Sequence, residues 1–222
     1  SALGQADLGL TTLTEMATHA AHIAGCISLP LIADADTGYG NPLNVIRTVR
    51  EYERAGVAAL HLEDQVFPKK CGHIAGKAVI PMKEFAEKIR AAAENRTDPD
   101  FVIIARTDAR AVNGIDDAIE RGLRYREAGA DVIFVEAPTS REEIERVARE
   151  IKAPLLSNQV PGGKTPGLTV TELEKLGYKI VIFPVVSLMS ATLAIESALS
   201  KLKERGTDWH EGPVLSPMDI FQ

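Results

Sequence analysis

The sequence predicts a parallel α/β fold, arranged either as an open sheet or as a barrel. The first observation is a set of short, almost continuously apolar segments, as expected of parallel strands that are covered on both faces. The second is that amphipathic segments of helical length separate them, and this alternation builds a parallel sheet with crossover helices. The predicted strands cover residues 30–33, 57–62, 101–105, 132–135, 154–156 and 179–183.

The predicted helices carry apolar residues three or four positions apart, which places those residues on one helical face. In the segment after the first strand, Val45, Val49 and Tyr52 share such a face. We expect each face to pack against the sheet. The corresponding residues of the next three helices are Phe85, Ile89 and Ala92, then Ile119, Leu123 and Arg126, then Ile144, Val147 and Ile151.

A unit of helix, glycine and strand occurs twice in the chain. Residues 52–56 read Tyr-Glu-Arg-Ala-Gly and precede a strand that ends in Glu63. Residues 125–129 read Tyr-Arg-Glu-Ala-Gly and precede a strand that ends in Glu136. In both, a glycine closes the helix before the chain turns into the strand. A repeated βα unit favours a barrel over an open sheet.

The composition describes a globular chain and excludes several classes of function. Hydrophobic residues make up 45% and charged residues 25% of the 222 residues, enough for one domain with a sizeable core. The net charge of -6 disfavours nucleic acids and anionic membranes as partners. We expect no membrane span and no signal peptide, and the two cysteines fit a reducing, cytoplasmic compartment. Of these, Cys26 is expected to fill a core position.

Polar side chains follow five of the six predicted strands. In a parallel barrel such strand ends share one rim, and in an open sheet they line one crevice, where active sites are built. Strand ends also turn polar simply because they meet water, but an arginine among carboxylates favours a functional site. The residues are Asp34 and Asp36, Glu63, Arg106, Glu136 and Asn158.

Asp34 and Asp36 are candidates for a metal site. They are two positions apart, so on a strand both carboxylates would point to the same side. Two adjacent carboxylates repel each other without a cation, and Mg²⁺ typically takes one or two protein carboxylates. Glu63 is a candidate to hold a metal-bound water. The residues therefore predict Mg²⁺, with Mn²⁺ as a substitute; the alternative is an aspartate pair that caps the loop at residues 37–40.

The segment after the second strand, residues 68–81, contains Lys-Lys-Cys-Gly-His at residues 69–73. Two lysines and a histidine favour the thiolate of Cys71, so this thiol is a candidate proton donor or nucleophile. A surface loop with an incidental cysteine is the alternative. The glycine patterns of a phosphate-binding P-loop and of a dinucleotide-binding fold are both incomplete, so neither cofactor site is supported.

Together these motifs resemble the isocitrate lyase/phosphoenolpyruvate mutase superfamily over essentially the whole chain. The Lys-Lys-Cys-Gly-His motif is the most discriminating, because it is similar to the carbon–carbon lyase branch, which includes 2-methylisocitrate lyases and 2,3-dimethylmalate lyases. The segments that carry the resemblance are residues 34–40, 63–65, 69–73 and 105–108, Asn158 and residues 163–166.

The resemblance implies a single (β/α)8 TIM barrel domain over residues 1–222, usually in a homotetramer that exchanges its last helix between subunits. Residues 187–203 correspond to that helix, and residues 187–222 would pack on a neighbouring subunit. Residues 68–81 correspond to a gating loop that closes over the substrate. Family members carry about two further strands upstream, so we expect the first strands of the barrel to be missing from this chain.

The resemblance also implies a reaction. A 2-hydroxy di- or tricarboxylic acid, bound to Mg²⁺ on Asp34 and Asp36, would break between C2 and C3 to give a 2-oxo acid such as pyruvate. Cys71 would protonate the departing enolate. The catalytic residues would be Cys71, Arg106, His73, Lys69 and Glu63. The substrate-binding residues would be Asp7, Gly72, Glu136 and Asn158.

Three alternatives use the same residues. Oxaloacetate decarboxylation or hydrolysis would need the same metal site, and so would a phosphonomutase reaction of the carboxyphosphonoenolpyruvate type, which the cysteine motif disfavours. A non-catalytic metal-binding homologue is less favoured, because Asp34, Asp36, Cys71 and Arg106 are all present. No acidic residue closely follows Asn158, so an alkylmalate dicarboxylate and a tricarboxylate remain comparable as substrates.

Overall fold

Six parallel strands form one sheet in the computed structural model, which describes residues 4–72 and 74–208. The strands are β1 (Ile32–Asp34), β2 (Ala59–Glu63), β3 (Val102–Thr107), β4 (Val132–Val135), β5 (Leu155–Asn158) and β6 (Ile180–Ile182). The helices are α1 (Leu13–Cys26), α2 (Pro42–Arg54), α3 (Met82–Asn95), α4 (Arg110–Asn113), α5 (Ile115–Glu127), α6 (Arg141–Glu150), α7 (Val170–Leu176) and α8 (Val186–Arg205). Each strand pairs with its sequence neighbour, and within the described residues β1 and β6 are the sheet edges.

The predicted parallel α/β fold is confirmed, but several strands extend further toward their carboxyl ends than predicted. β3 includes Arg106, which is in register with Phe134 of β4. β5 includes Asn158, which is in register with Ile182 of β6. Backbone hydrogen bonding does not depend on side-chain polarity, so the ladder continues through polar residues wherever the neighbouring strand continues. The sheet itself therefore positions polar side chains at its carboxyl edge.

Helices cover the sheet, and three of the four predicted apolar faces are confirmed. α2 shows why a helix begins where it does: Pro42 suits the first helical position, and the Asn41 side chain accepts a hydrogen bond from the backbone N–H of Leu43 at 2.9 Å. The confirmed buried faces are Val45, Val49 and Tyr52 in α2, Phe85, Ile89 and Ala92 in α3, and Ile144, Val147 and Ile151 in and after α6.

The predicted face of α5 is wrong. Ile119 is buried, but Leu123 is 41% exposed and Arg126 also faces solvent. The buried face instead runs through Gly122, where an added Cβ atom would lie 2.6 Å from Cδ1 of Ile151. α5 therefore approaches its neighbours through its smallest residue, and this close packing selects the face.

The expectation that Cys26 fills the core is also wrong, because Cys26 is exposed at the end of α1. α1 begins with a capping box in which Thr12 and Glu15 exchange hydrogen bonds. Among its residues only Ala20 is buried. Most of its surface, including the last turn, therefore faces away from the core.

The chain divides into two units, residues 1–183 and residues 184–222. Within the described part of the second unit lies α8, a helix of 20 residues that ends at Gly206, whose φ is 70°. The apolar residues exposed on α8 are Val186, Leu188, Met189, Leu193, Ile195, Leu199 and Leu202. No described helix is long and apolar enough to span a membrane. The exchange of α8 between subunits stays a prediction.

Candidate active site

The carboxyl edge of the sheet brings together side chains from five neighbouring strands. Asp34 ends β1, Glu63 ends β2, and β3 carries Arg106 in register with Glu63. Glu136 follows β4 and Asn158 ends β5. The Asn158 side chain donates to both carboxylate oxygens of Glu136 at 3.4 Å. Because the strands are parallel, ionisable and amide groups form a continuous row along one edge.

A turn, and not the alternation of side chains along a strand, brings the side chains of Asp34 and Asp36 together. β1 ends at Asp34, and Asp36 lies in the left-handed region with a φ of 45°. The backbone N–H of Asp36 donates to Oδ1 of Asp34 at 2.9 Å. The premise that both residues lie on a strand is therefore wrong. The turn nevertheless brings the carboxylates close enough to interact, and such left-handed residues concentrate at functional sites.

Lys69 places a buried ammonium group beside this turn. Its Nζ lies 2.8 Å from Oδ1 of Asp36 and 2.5 Å from Oδ1 of Asp7. Burial opposes the charge, but the neighbouring carboxylates, with Asp34 the strongest, outweigh it and raise the pKa of Lys69 above its ordinary value. Lys69 therefore stays protonated and supplies positive charge instead of a base.

The two aspartates of the turn have opposite pKa shifts. Burial and the charge of Asp34 raise the pKa of Asp36. Burial also acts on Asp34, but the charges of His61 and Lys69 outweigh it and lower the pKa of Asp34. Asp34 therefore keeps its negative charge to lower pH than Asp36 does. A further cation nearby would stabilise the charged form of Asp36.

Glu63 is a fully buried carboxylate whose oxygens receive no hydrogen bond from the described residues. Nη1 of Arg106 lies 3.2 Å from Oε2 of Glu63 and forms an ion pair with it. Burial raises the pKa of Glu63 to about 8, and the charge of Arg106 opposes part of that rise. Since buried carboxylate oxygens normally have donors, those of Glu63 are suited to a water that is bound to a cation.

The residues around the turn fit Mg²⁺. The described part of the chain contains no group of three or more His, Cys, Asp or Glu side chains arranged to hold a metal ion. Mg²⁺ commonly uses only one or two protein carboxylates and completes its shell with water and substrate oxygens. Asp34 and Asp36 supply two carboxylates, Glu63 supplies an acceptor for a coordinated water, and a cavity of about 270 Å³ adjoins the turn.

Arg106 is a fixed cation next to these carboxylates. Its Nε and Nη2 donate to the two carboxylate oxygens of Asp108 at 2.9 and 3.2 Å. Its guanidinium carbon lies 5.3 Å from the centre of the Phe134 ring. Burial opposes the charge, but Asp108 and Glu63 outweigh it and raise the pKa of Arg106 above its ordinary value. Such a fixed guanidinium is suited to bind a substrate carboxylate.

The segment that carries Cys71 is docked onto this edge through Gly72. A Cβ atom on Gly72 would lie 2.6 Å from Cγ of Glu136 and 2.7 Å from Nη2 of Arg106. Both distances are shorter than side-chain contacts allow, so the approach requires glycine. The neighbouring Cys71 is half-buried. His73, which the resemblance assigns to the catalytic residues, lies outside the described residues.

A family model covers almost the whole chain. The model described as phosphoenolpyruvate phosphomutase matches residues 1–203. The chain belongs to the phosphoenolpyruvate mutase/isocitrate lyase superfamily. This confirms the resemblance drawn from the sequence motifs.

Two similar superfamily members are lyases. The chain is 53% identical over 207 residues to the 2,3-dimethylmalate lyase of Eubacterium barkeri, a match that covers 93% of this chain and 72% of that protein. It is 52% identical over 205 residues to the 2-methylisocitrate lyase of Aeropyrum pernix, covering 92% of this chain and 66% of that protein. The chain thus spans about two thirds to three quarters of the length of these relatives.

Solved structures of superfamily members share the fold. A crystal structure of 2,3-dimethylmalate lyase matches with a TM-score of 0.94 and 43% identity, covering 100% of this chain and 74% of that one. Oxaloacetate acetylhydrolase with the inhibitor 3,3-difluorooxalacetate matches with a TM-score of 0.94 and 41% identity, covering 100% of this chain and 76% of that one. Phosphonopyruvate hydrolase in complex with oxalate and Mg²⁺ matches with a TM-score of 0.85 and 33% identity, covering 96% of this chain and 75% of that one.

The motif at residues 63–65 contains a buried carboxylate, Asp64, to which the sequence analysis assigned no role. Asp64 accepts hydrogen bonds from Oγ1 of Thr107 at 2.7 Å and from the backbone N–H of Asp108 at 2.9 Å. It also accepts from the Tyr125 hydroxyl at 2.8 Å and from Nη1 of Arg121 at 3.1 Å. Asp64 therefore fixes the chain that follows β3 and, through it, the side chain that holds Arg106 in place. Its partners lie far along the sequence, so no local motif indicates them.

The sequence analysis assigned no role to Lys77 either. Its Nζ donates to Oδ1 of Asp108 at 2.9 Å, and it donates to the backbone carbonyl of Gly72. A lysine that directly follows a glycine in a loop is ordinarily solvated. One signal was available: the strand ends carry more carboxylates than cations, and buried carboxylates need cations from elsewhere in the chain.

Proposed function

We propose that this superfamily member is a Mg²⁺-dependent carbon–carbon lyase. Its substrate is a 2-hydroxy di- or tricarboxylic acid of the alkylmalate or 2-methylisocitrate type, and its products are a 2-oxo acid such as pyruvate and a carboxylic acid. The observation that carries the proposal is the docking of Gly72, next to the Cys71 thiol, onto Arg106 and Glu136. The names of the two lyases reported above, to which the chain is similar, support it.

In this proposal, Asp34 and Asp36 would hold the metal, and Glu63 would accept a hydrogen bond from a metal-bound water. Bound there, Mg²⁺ supplies Lewis acidity toward the hydroxyl and carboxylate oxygens of the substrate. Lys69 offsets the negative charge of the cluster. Through its contact with Asp7, Lys69 also keeps the chain before α1 next to the turn.

Arg106 and Asn158 orient the substrate. Arg106 is held by Asp108 and stays charged, so it binds a substrate carboxylate without having to be ordered first. Asn158 donates its amide hydrogens toward Glu136, and its Oδ1 is buried without a hydrogen-bond donor among the described residues. That oxygen is suited to accept from a hydroxyl group of the substrate, and Glu136 sets its orientation.

The bond-breaking step begins when a base takes the proton from the C2 hydroxyl. The C2–O bond becomes a carbonyl, the C2–C3 bond breaks, and its electron pair leaves with C3 as the enolate of the second product. The Cys71 thiol gives its proton to C3, and the resulting thiolate takes up a proton before the next turnover. His73, two positions after Cys71 in the sequence, keeps its proposed catalytic role. Residues 68–81, as a gating loop, would exclude water that competes for the enolate.

We also propose that the six strands belong to a (β/α)8 barrel in a cytoplasmic homotetramer, with residues 187–222 packing on a neighbouring subunit. In the described residues, β1 and β6 each pair with one strand only, and unpaired edges are usually covered. The apolar residues exposed on α8 are typical of a surface that another chain covers.

The test is an assay of Mg²⁺-dependent product release from five acids: 2-methylisocitrate, 2,3-dimethylmalate, citramalate, isocitrate and oxaloacetate. Pyruvate is measured for all except isocitrate, which is followed through glyoxylate. We expect release from one hydroxy acid, lost on chelation of the metal and reduced at least about 100-fold in Cys71→Ser, the usual scale for a general acid. Cys26→Ser, which changes an exposed thiol on α1, is the matched control and keeps full activity. Release that survives Cys71→Ser contradicts the cysteine mechanism.

A second candidate is hydrolysis of oxaloacetate, favoured by the likeness to the oxaloacetate acetylhydrolase structure at a TM-score of 0.94. In the oxaloacetate reaction, oxalate is measured as well as pyruvate, because hydrolysis yields oxalate and acetate whereas decarboxylation yields pyruvate and carbon dioxide. Turnover of oxaloacetate alone would replace the lyase proposal with one of these.

A further inference from the structure

The segment that carries Cys71 is tied to the sheet edge by a lysine that the proposed reaction does not use. Nζ of Lys77 lies 2.9 Å from Oδ1 of Asp108, and the two side chains are 1% and 0% exposed. The same ammonium group donates a hydrogen bond to the carbonyl oxygen of Gly72. A single buried cation thus connects the end of β3 with the residue that follows Cys71.

This connection acts on the middle of the segment, whereas other contacts hold its two ends. Near the start, the Gln65 side chain exchanges two hydrogen bonds with the backbone of Lys70, at 2.8 and 3.0 Å. Near the end, the backbone N–H of Ile80 donates to the carbonyl oxygen of Asp64 at 2.9 Å. Fixing the ends of a loop leaves its middle free to move, so a contact in the middle decides whether the loop stays docked.

We propose that Lys77 is a positioning residue for Cys71. By pairing with Asp108 while it donates to the carbonyl oxygen of Gly72, it holds the glycine against Arg106 and so sets the position of the neighbouring thiol. The catalytic meaning of this contact rests on the proposed lyase function. The docking itself rests only on the contacts. Asp108 keeps both hydrogen bonds from Arg106 when Lys77 is replaced, so Lys77→Met leaves no buried charge without a partner.

The test measures how fast iodoacetamide alkylates each cysteine in the absence of substrate, with the two cysteine peptides quantified separately by mass spectrometry. Cys26 is exposed on α1 and serves as the internal standard. In Lys77→Met we expect Cys71 to react about tenfold faster relative to Cys26, the scale of losing one charge-assisted hydrogen bond. Loss of a positive charge does not by itself make a thiol more reactive, so an increase reports greater access.

Three further variants sharpen the result. Gly72→Ala changes no charge, but its methyl group does not fit between Glu136 and Arg106, so the Cys71-to-Cys26 ratio should also rise. Lys77→Arg should restore part of the wild-type ratio, since a guanidinium group donates to both partners. Lys83→Met removes an exposed lysine just beyond the segment and should leave the ratio unchanged.

The alkylation result decides the proposal whatever reaction the protein catalyses. A ratio that stays at the wild-type value in Lys77→Met overturns it, whether or not Gly72→Ala raises the ratio, because docking would then not depend on Lys77. If the lyase assay is positive, Lys77→Met should lower kcat by about tenfold with a smaller change in KM, because Lys77 contacts the segment and not the substrate. A lysine with a purely structural role would leave both the ratio and kcat at their wild-type values once the protein is folded.

Discussion

Two regions meet at the candidate active site, and they are held in place by different means. The edge of the sheet is fixed by Asp64, whose side chain binds partners 43 to 61 positions away in the sequence. The segment at residues 68–81 is held mainly at its ends, with Lys77 tying its middle to Asp108. The difference separates two tasks. The edge supplies charges at fixed positions, and the segment supplies a thiol whose delivery depends on one contact. Substitution of Asp64, which fixes the edge, should therefore act mainly on stability, and substitution of Lys77, which docks the segment, should act mainly on function.

The strongest test of this contrast is Asp64→Ala. The substitution removes the acceptor of four hydrogen bonds and takes away a buried carboxylate partner of Arg121, so we expect a loss of about 3–5 kcal/mol in the free energy of unfolding. Urea denaturation measures it. Lys77→Met should cost only about 1–2 kcal/mol, because Asp108 remains paired with Arg106. Equal losses in the two variants would contradict the division between a rigid edge and a docked segment.

This division also explains which features could be predicted from the sequence. The strands follow from apolar segments, and the row of polar residues follows from the rule that parallel strands end at one edge. Both are local patterns combined with one rule of topology. This rule is enough to predict Glu63 and Arg106 as residues of one site. The structural role of Asp64, in the same motif as Glu63, could not be predicted, because its partner Arg121 lies 57 positions away.

The errors have the same physical origin. Asp36 was placed on a strand because spacing alone does not distinguish a strand from a left-handed turn. Leu123 was placed in the core because its spacing fits a helical face, but the close approach at Gly122 rotates a different face inward. In both cases the residue spacing fits more than one conformation and does not by itself select the one that forms.

A second test compares the two aspartates within the rigid edge. We expect the Tm of the wild-type protein to rise with Mg²⁺, because a ligand that binds only the folded state stabilises it. Both Asp34→Asn and Asp36→Asn should abolish that rise. Without metal they should differ: the pKa of Asp34 is lowered, so its charge stabilises the fold at neutral pH and its loss lowers the Tm. The pKa of Asp36 is raised, so its loss should leave the Tm unchanged or higher.

Thermal shift with and without EDTA measures both effects. Glu120→Gln, which neutralises an exposed carboxylate on α5, is the control and should keep the response to Mg²⁺. A metal-dependent rise that persists in both aspartate variants would place the metal elsewhere. A lower metal-free Tm in Asp36→Asn than in Asp34→Asn would contradict the opposite charge preferences of the two residues.

The last prediction has the smallest expected effect. It tests whether α5, which supplies Arg121, is held as rigidly as the edge of the sheet. In Gly122→Ala, better helix propensity favours stability by up to about 1 kcal/mol. The new methyl group would lie 2.6 Å from Cδ1 of Ile151, however, and overpacking typically costs about 1–3 kcal/mol. We expect a net loss of about 1 kcal/mol in urea denaturation. Ile151→Val removes the crowded methyl group, so the double variant should lose at least about 0.5 kcal/mol less than the sum of the single losses. If the losses in the free energy of unfolding are additive, α5 moves to accommodate the methyl group and is not part of the rigid edge that Asp64 fixes.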